Sequence, residues 1–226
     1  MDIKDLENKI INADCLEILK QLPDKCIDLV LTDPPYGMNY QSGWRKQKYE
    51  KIKNDNNLDW LSDFLKELKR ISKDNAIWYI FCSWHNVDVF KQQIQKIRNV
   101  KNILIWNKNN FGSGDLFCDF APKYEMCIFC NENKKLNGNR IANVLNFAKT
   151  SNELHPTQKP IDLFETLIFK ASNPNDIVLD CFSGSGTTAV ACHKLKRRFI
   201  CIEKDKDYYE ASVKRLEEEQ RQLDMF

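Results

Sequence analysis

The sequence predicts an α/β fold, a mostly parallel sheet covered by helices on both faces. Three observations carry this. Seven short runs are apolar enough for buried strands: 9–13, 27–32, 76–82, 102–107, 124–130, 176–181 and 198–203. Six segments between them space their apolar residues as helices do, at 15–21, 59–72, 86–97, 160–171, 186–195 and 205–222. Alternation of this kind is the pattern of a parallel sheet with crossover helices. Two polar segments break the rhythm, 37–57 and 131–154, and both exceed ordinary connection length. They are expected to be functional insertions in a single domain spanning 1–226.

Composition bounds the function. The chain has 226 residues, 42% hydrophobic and 29% charged, enough for one substantial core. A formal charge of +2 does not by itself require a polyanionic partner. Locally, Arg45, Lys46, Lys48, Lys51 and Lys53 face only Glu50 and Asp55 within 37–56. Such an excess suits a phosphate backbone, although a solvated charged loop has the same composition. No run approaches about 18 apolar residues and the N-terminus is polar, so a soluble, cytoplasmic protein without membrane association is expected. Nine cysteines then read as reduced thiols. Cys26, Cys82, Cys181, Cys192 and Cys201 sit in apolar runs as small core residues. Cys127-x-x-Cys130 has no second pair at finger spacing, and no metal site is expected.

Along the chain, the strand at 9–13 leads into Asp14-Cys15, and Asp14-x-x-Glu17 can cap the helix at 15–21. The strand at 27–32 leaves through Asp33-Pro34-Pro35-Tyr36, an unusual exit. A residue before proline is pushed to extended conformations, so Asp33 and Pro34 are both held extended. Prolines carry no N–H, and the corner therefore offers acceptors only: the Asp33 carboxylate and the Pro34 carbonyl. Acceptors without donors select an amino group, and Tyr36 adds a flat face for a ring that carries it. Such an amine is a poor nucleophile because its lone pair is delocalised into the ring. Two acceptors gripping its hydrogens would turn that lone pair out of plane.

The strand at 176–181 ends in Asp180, followed by Cys181-Phe182-Ser183-Gly184-Ser185-Gly186-Thr187-Thr188-Ala189. Gly184, Gly186 and Ala189 fit the spacing of a nucleotide-cofactor turn between a strand and a helix. Glu203 ends the next strand, placed to accept hydrogen bonds from two ribose hydroxyls. Nicotinamide and S-adenosylmethionine cofactors both satisfy these residues. Asp180 leans toward the second, because it would meet a methionine ammonium but repel a pyrophosphate.

The two motifs together resemble a known family. Asp33-Pro34-Pro35-Tyr36 resembles the catalytic motif of DNA amino-methyltransferases, and Asp180 to Thr188 resembles their S-adenosylmethionine motif. His155-Pro156-Thr157-Gln158-Lys159-Pro160 is similar to the element that precedes the cofactor motif in a permuted group. That order resembles the β-class of N6-adenine and N4-cytosine enzymes, over nearly the whole chain. The resemblance implies a circularly permuted, Rossmann-like S-adenosylmethionine methyltransferase fold, seven-stranded and mostly parallel, with 124–130 antiparallel. It places the strands at 27–32 and 176–181 side by side at the sheet centre. It implies catalysis by Asp33, Pro34, Pro35 and Tyr36 on an amine of double-stranded DNA. It assigns to the cofactor Asp14, Cys15, Asp33, Thr157, Lys159, Asp180, Phe182, Ser183, Gly184, Ser185, Gly186, Thr187, Thr188, Glu203 and Lys204. Thr157 and Lys159 would close over its methionine end.

Two departures stand out: Cys181 occupies a position where proline is usual, and the recognition segment 131–154 is short. Arg45, Lys46, Lys48 and Arg140 are the candidate DNA contacts, and a homodimer is expected. Aspartate at the first motif position favours adenine over cytosine. Cytosine-N4 methylation and a catalytically silent DNA- or clamp-binding module are the alternatives. His85 and His193 carry no chemistry in this reading. The chain ends in Gln222-Leu223-Asp224-Met225-Phe226, which resembles a bacterial sliding-clamp docking peptide through Gln222, Leu223, Met225 and Phe226.

Overall fold

Among the described residues eight strands, not seven, form one sheet. The computed structural model describes residues 2–36, 58–110, 117–150 and 158–223. The strands are β1 (Lys9–Asn12), β2 (Ile27–Thr32), β3 (Ser72–Cys82), β4 (Val100–Asn107), β5 (Tyr124–Cys130), β6 (Val144–Asn146), β7 (Ile177–Asp180) and β8 (Arg198–Glu203). Their order is β1-β8-β7-β2-β3-β5-β4-β6. All pairs are parallel except those of β5, which runs antiparallel to both β3 and β4.

The added strand is β6, inside the segment 131–154. It has three residues, only Leu145 is buried, and it pairs along the β4 edge with Leu145 opposite Trp106. A run that short carries no readable alternation. The other discrepancy is the start of β3, at Ser72 and not residue 76. Lys73, Asp74 and Asn75 are too polar to read as strand. Here Lys73 instead holds Asp28 of the neighbouring strand across 2.6 Å.

The helices are α1 (Cys15–Leu19), α2 (Leu61–Ile71), α3 (Val87–Gln95), α4 (Ile161–Ala171), α5 (Thr187–Lys194) and α6 (Lys206–Leu223). Successive side chains of a strand point to opposite faces, and β2 feeds two cores accordingly. Ile27 and Val30 join Leu19, Phe64, Leu68, Trp78 and Ile94 under α1, α2 and α3. Leu29 and Leu31 join Tyr79, Phe81, Phe164, Leu167 and Val190 under α4, α5 and α6.

The connections set the position of a ligand site. From β7 the chain passes through α5 to β8 on one side; from β2 it passes through α2 to β3 on the other. β2 and β7 are direct neighbours, with Leu29 opposite Val178 and Val30 opposite Leu179. Their carboxyl ends flank the point where connections diverge, the usual crevice of an open α/β sheet. Phe182, just beyond β7, closes one wall by packing on Phe64 at 5.5 Å and Trp60 at 5.7 Å between ring centroids. Phe64 is fully buried. Phe64→Ala is expected to cost about 3–5 kcal/mol of unfolding free energy, measured by urea denaturation.

Candidate active site

The ends of β2 and β7 are laced by one side-chain pair. Thr32 Oγ1 donates to Asp180 Oδ1 at 3.0 Å and accepts from the Cys181 N–H at 3.2 Å. Asp180 also accepts from the Phe182 N–H at 3.2 Å and from the Thr188 hydroxyl at 2.5 Å. It is 3% exposed. Burial pushes its carboxyl up to about 6, against the pull of those donors. Cys181 is buried and enters this lacing only through its backbone, so proline's absence there leaves a usable N–H.

The turn after Asp180 requires glycine twice. Gly184 has φ +49° and Gly186 φ +74°, the left-handed region that side chains rarely adopt. At Gly186 a Cβ would also stand 3.0 Å from Ser212 Cβ on α6. Glu203 at the end of β8 accepts from the Gly184 N–H and the Asp205 N–H, both at 2.8 Å. Each of its oxygens keeps a lone pair for a further donor. Arg215 of α6 supports the turn from below, donating to the Ser185 carbonyl at 2.9 Å and the Thr187 hydroxyl at 3.2 Å. The Ser183 hydroxyl is buried without a hydrogen-bond partner among the described residues. Buried polar groups are nearly always paired, so an unpaired hydroxyl beside a glycine turn fits a site built for a polar ligand.

On the other side of the turn, Asp14 caps α1 through the Leu16 N–H at 3.0 Å and pairs with Lys204 at 2.8 Å. Burial opposes its ionisation, but Lys204 and that N–H hold its carboxyl below the ordinary aspartate value. The capping reading of Asp14 therefore describes a bond it makes, and its second oxygen is held by Lys204. Cys15 is buried and its thiol is pushed up to about 12, so it is neutral.

The Asp33 corner holds a row of alternating charges. Asp33 Oδ1 accepts from the Tyr36 hydroxyl, and Oδ2 meets the Lys159 ammonium. Lys159 is 5% exposed; it also meets Glu125 at 3.1 Å, and Glu125 meets Lys108 at 2.6 Å. Burial raises the Asp33 carboxyl, Lys159 lowers it, and the net direction is up. Burial works against the Lys159 charge, yet Asp33 and Glu125 together hold its pKa above the ordinary lysine value. Asn86 fixes Tyr36 by donating to its carbonyl. Pro34 is buried and Pro35 partly so.

The structure thus brings together Asp33, Tyr36, Lys159, Asp180, the 182–188 turn and Glu203 at one end of the sheet. The Lys159 ammonium rests on Asp33 and Glu125, and its carbonyl accepts from the Thr187 hydroxyl. Glu125, Lys108, Asn86 and Arg215 are absent from the sequence reading. Glu125 had a signal, because it is an acid inside the otherwise apolar run Tyr124-Glu125-Met126-Cys127-Ile128-Phe129-Cys130.

Other candidates lie elsewhere. Arg140 is exposed and lines a cavity of about 690 Å³ with Phe129, Leu167 and Lys170. Lys170 belongs to the far end of α4, which runs about 16 Å from its start near Lys159, so Arg140 is not gathered with Asp33. Residues 131–150 are tied down there as well: Lys134 donates to the Ala171 carbonyl and Asn137 to the Ser172 carbonyl. Arg45, Lys46, Lys48, Thr157, Met225 and Phe226 lie outside the described residues. Gln222 is exposed near the end of α6, and Leu223 is its last residue. Among the described residues no three metal-binding side chains cluster, and no helix is long and apolar enough to cross a membrane.

A family model described as DNA methylase matches residues 27–214. The chain belongs to the DNA methylase family. It is 31% identical to the type II methyltransferase M.HinfI of Haemophilus influenzae, over 96% of this chain and 70% of that protein. It is 30% identical to the DNA adenine methyltransferase YhdJ of Escherichia coli K12, over 92% of this chain and 82% of that one. The crystal structure of an M1.HpyAVI-SAM complex superposes with a TM-score of 0.72 at 29% identity, covering 92% of this chain and 98% of that one. The PvuII DNA methyltransferase, cytosine-N4-specific, shares the fold with a TM-score of 0.75 at 20% identity. The antiparallel strand and the neighbouring β2 and β7 expected from the resemblance are both present in this methylase.

Asp180 gives the methylase a pH signature. Its folded pKa lies above the unfolded value of 3.8, so the protonated form favours folding. Stability from this group is complete below about pH 4 and is lost as pH rises through about 6. Asp180→Asn should abolish that dependence. The difference in unfolding free energy, wild type minus variant, is expected to fall between those two pH values, at up to about 1.4 kcal/mol per unit. Denaturation across that window measures it.

Proposed function

We propose that this DNA methylase transfers a methyl group from S-adenosylmethionine to the N6 amine of adenine in double-stranded DNA. The observation that carries the reading is the Asp33 carboxylate, half-buried at the carboxyl end of β2, one strand from the Asp180–Thr188 turn and followed by two prolines. An ionised carboxylate beside the Pro34 carbonyl, in a corner whose prolines carry no backbone N–H, can accept two amine hydrogens. The adenine must leave the duplex to reach it, since chemistry on a stacked base is sterically blocked. Tyr36 would provide the stacking face once its hydroxyl yields Asp33. Asp33 then holds the amine with its lone pair out of the ring plane, and catalysis is mainly positioning.

The cofactor, when bound, supplies an electrophilic methyl on its sulfonium. The unpaired Ser183 hydroxyl, the glycine turn and the spare lone pairs of Glu203 fit such a group. Asp14, Cys15, Phe182, Ser185, Thr187, Thr188 and Lys204 would complete its surroundings, with Asp180 ordering the turn. Similarity to M1.HpyAVI, solved with SAM, supports this choice. Similarity to YhdJ, a DNA adenine methyltransferase, supports adenine over cytosine. Gln222 is exposed near the end of α6, and the resemblance of Gln222–Phe226 to a clamp-docking peptide supports a clamp tether, which would raise the local concentration of enzyme on DNA. Calorimetric titration of a bacterial clamp with the intact chain, but not with one lacking 222–226, should show that binding.

Tritium transfer from labelled cofactor to unmethylated DNA, followed by chromatography of the nucleosides, tests the central reading. N6-methyladenine is the expected product; N4-methylcytosine would overturn the base assignment, and no transfer would overturn the activity. Asp33→Ala should lose about 10²–10³-fold in transfer, the scale for one transition-state hydrogen-bond partner, while calorimetry shows cofactor binding retained. Glu203→Ala should instead weaken cofactor binding by about 1.5–3 kcal/mol. Because burial holds the Asp33 carboxyl up, its protonated form, which cannot accept both hydrogens, should persist to higher pH. The acid limb of kcat/KM is expected above the ordinary aspartate value of about 3.9.

A further inference from the structure

We infer that Glu125 is a positioning residue for the amine-transfer step: it takes over the Lys159 ammonium when the target amine displaces that ammonium from Asp33. The inference rests on the amine-transfer reading above and adds a requirement that reading does not contain. Both Asp33 oxygens are occupied, Oδ1 by the Tyr36 hydroxyl and Oδ2 by Lys159. An amine gripped at Oδ1 must displace the hydroxyl, and one gripped at Oδ2 must displace the ammonium. Tyr36 leaves at low cost, since a hydroxyl can find another partner. Lys159 could not without a second acid, because it is 5% exposed and, Glu125 aside, it rests near the Phe81 ring, 5.2 Å away. A buried ammonium stripped of its counter-charge is strongly unfavourable.

Glu125 resolves this. Its carboxylate already stands 3.1 Å from the same ammonium. Lys159 can therefore release Asp33 without losing its ion pair. Lys108 anchors Glu125 from behind at 2.6 Å and sits 5.0 Å over the Trp106 ring. The row Asp33, Lys159, Glu125, Lys108 alternates in sign and sums to zero, so after the exchange Lys159 stays paired with Glu125 while Asp33 takes the amine hydrogens in place of the ammonium. Strand direction makes it possible. β5 is antiparallel to its neighbours, so its first residues, Tyr124 and Glu125, reach the end where β2, β3 and β4 finish.

The test combines Glu125→Gln, Lys159→Gln and the double variant with the wild-type chain, under single turnover on unmethylated DNA. Glu125→Gln should slow methyl transfer by about 10²-fold, the scale for a misplaced reacting group, with cofactor affinity by calorimetry unchanged. The double variant should be no slower than Lys159→Gln alone, because Glu125 acts through Lys159. Glu125→Asp, which keeps the charge, should recover part of the rate. A readout independent of turnover is the Asp33 carboxyl titration by carbon NMR in the cofactor-free protein. Asp33 is faced by Tyr36, Lys159 and Glu125, with Cys82, Cys127 and Asp180 further out. Removing the like charge of Glu125 should lower its midpoint. With an active wild type, full-rate Glu125→Gln or singles that simply multiply in the double variant would overturn the inference and leave the amine-transfer reading standing. A wild type that transfers nothing would overturn both.

Discussion

A threonine hydroxyl and an aspartate carboxylate, on adjacent strand ends, hold the working end of this methylase in register. Thr32 and Asp180 meet at 3.0 Å, both buried, at the carboxyl ends of β2 and β7. Burying that carboxylate is costly, and the structure offsets the cost with two hydroxyls and a backbone N–H. Those same donors belong to the segments that must be ordered: the exit of β2, the turn at Phe182 and the first residues of α5. One unfavourable burial thereby fixes three pieces of backbone. Glu203 extends the arrangement to β8 by capturing the Gly184 N–H, and Arg215 extends it to α6.

Electrostatics at the Asp33 corner follow a different logic. In the proposed reaction the Asp33 carboxylate takes the substrate amine, whereas Asp180 is tied to two hydroxyls and a backbone N–H. The charge of Asp33 is balanced by Lys159, whose own burial is tolerated because two acids share it. The two aspartates sit at the ends of neighbouring strands, and the chain treats them oppositely.

Reversal of β5 has consequences beyond sheet topology. In an all-parallel sheet only strand C-termini line the crevice, and each contributes a residue leading into a loop. An antiparallel strand brings its N-terminal residues to the same place while they are still paired in the sheet. Glu125 is therefore held opposite Trp106 of β4, one residue beyond the last β3 partner Met126, a more rigid platform than a loop would give.

By itself the sequence determined the strand and helix positions almost throughout, because buried parallel strands and amphipathic helices differ in apolar period. It also determined the two signatures of the site. Asp33-Pro34-Pro35-Tyr36 and Gly184-x-Gly186 are local constraints on backbone and hydrogen bonding, legible without neighbours. Tertiary structure decided what those residues touch. Lys159 reads as a surface lysine or a cofactor contact, and only folding places it between Asp33 and Glu125, which are 92 residues apart in the chain. Arg215 and Asn86 are ordinary polar residues until α6 and the end of β3 reach the site. The three-residue β6 exists only because β4 offers it an edge. Period and turn chemistry are short-range properties, whereas charge partners are chosen by the packing of distant segments.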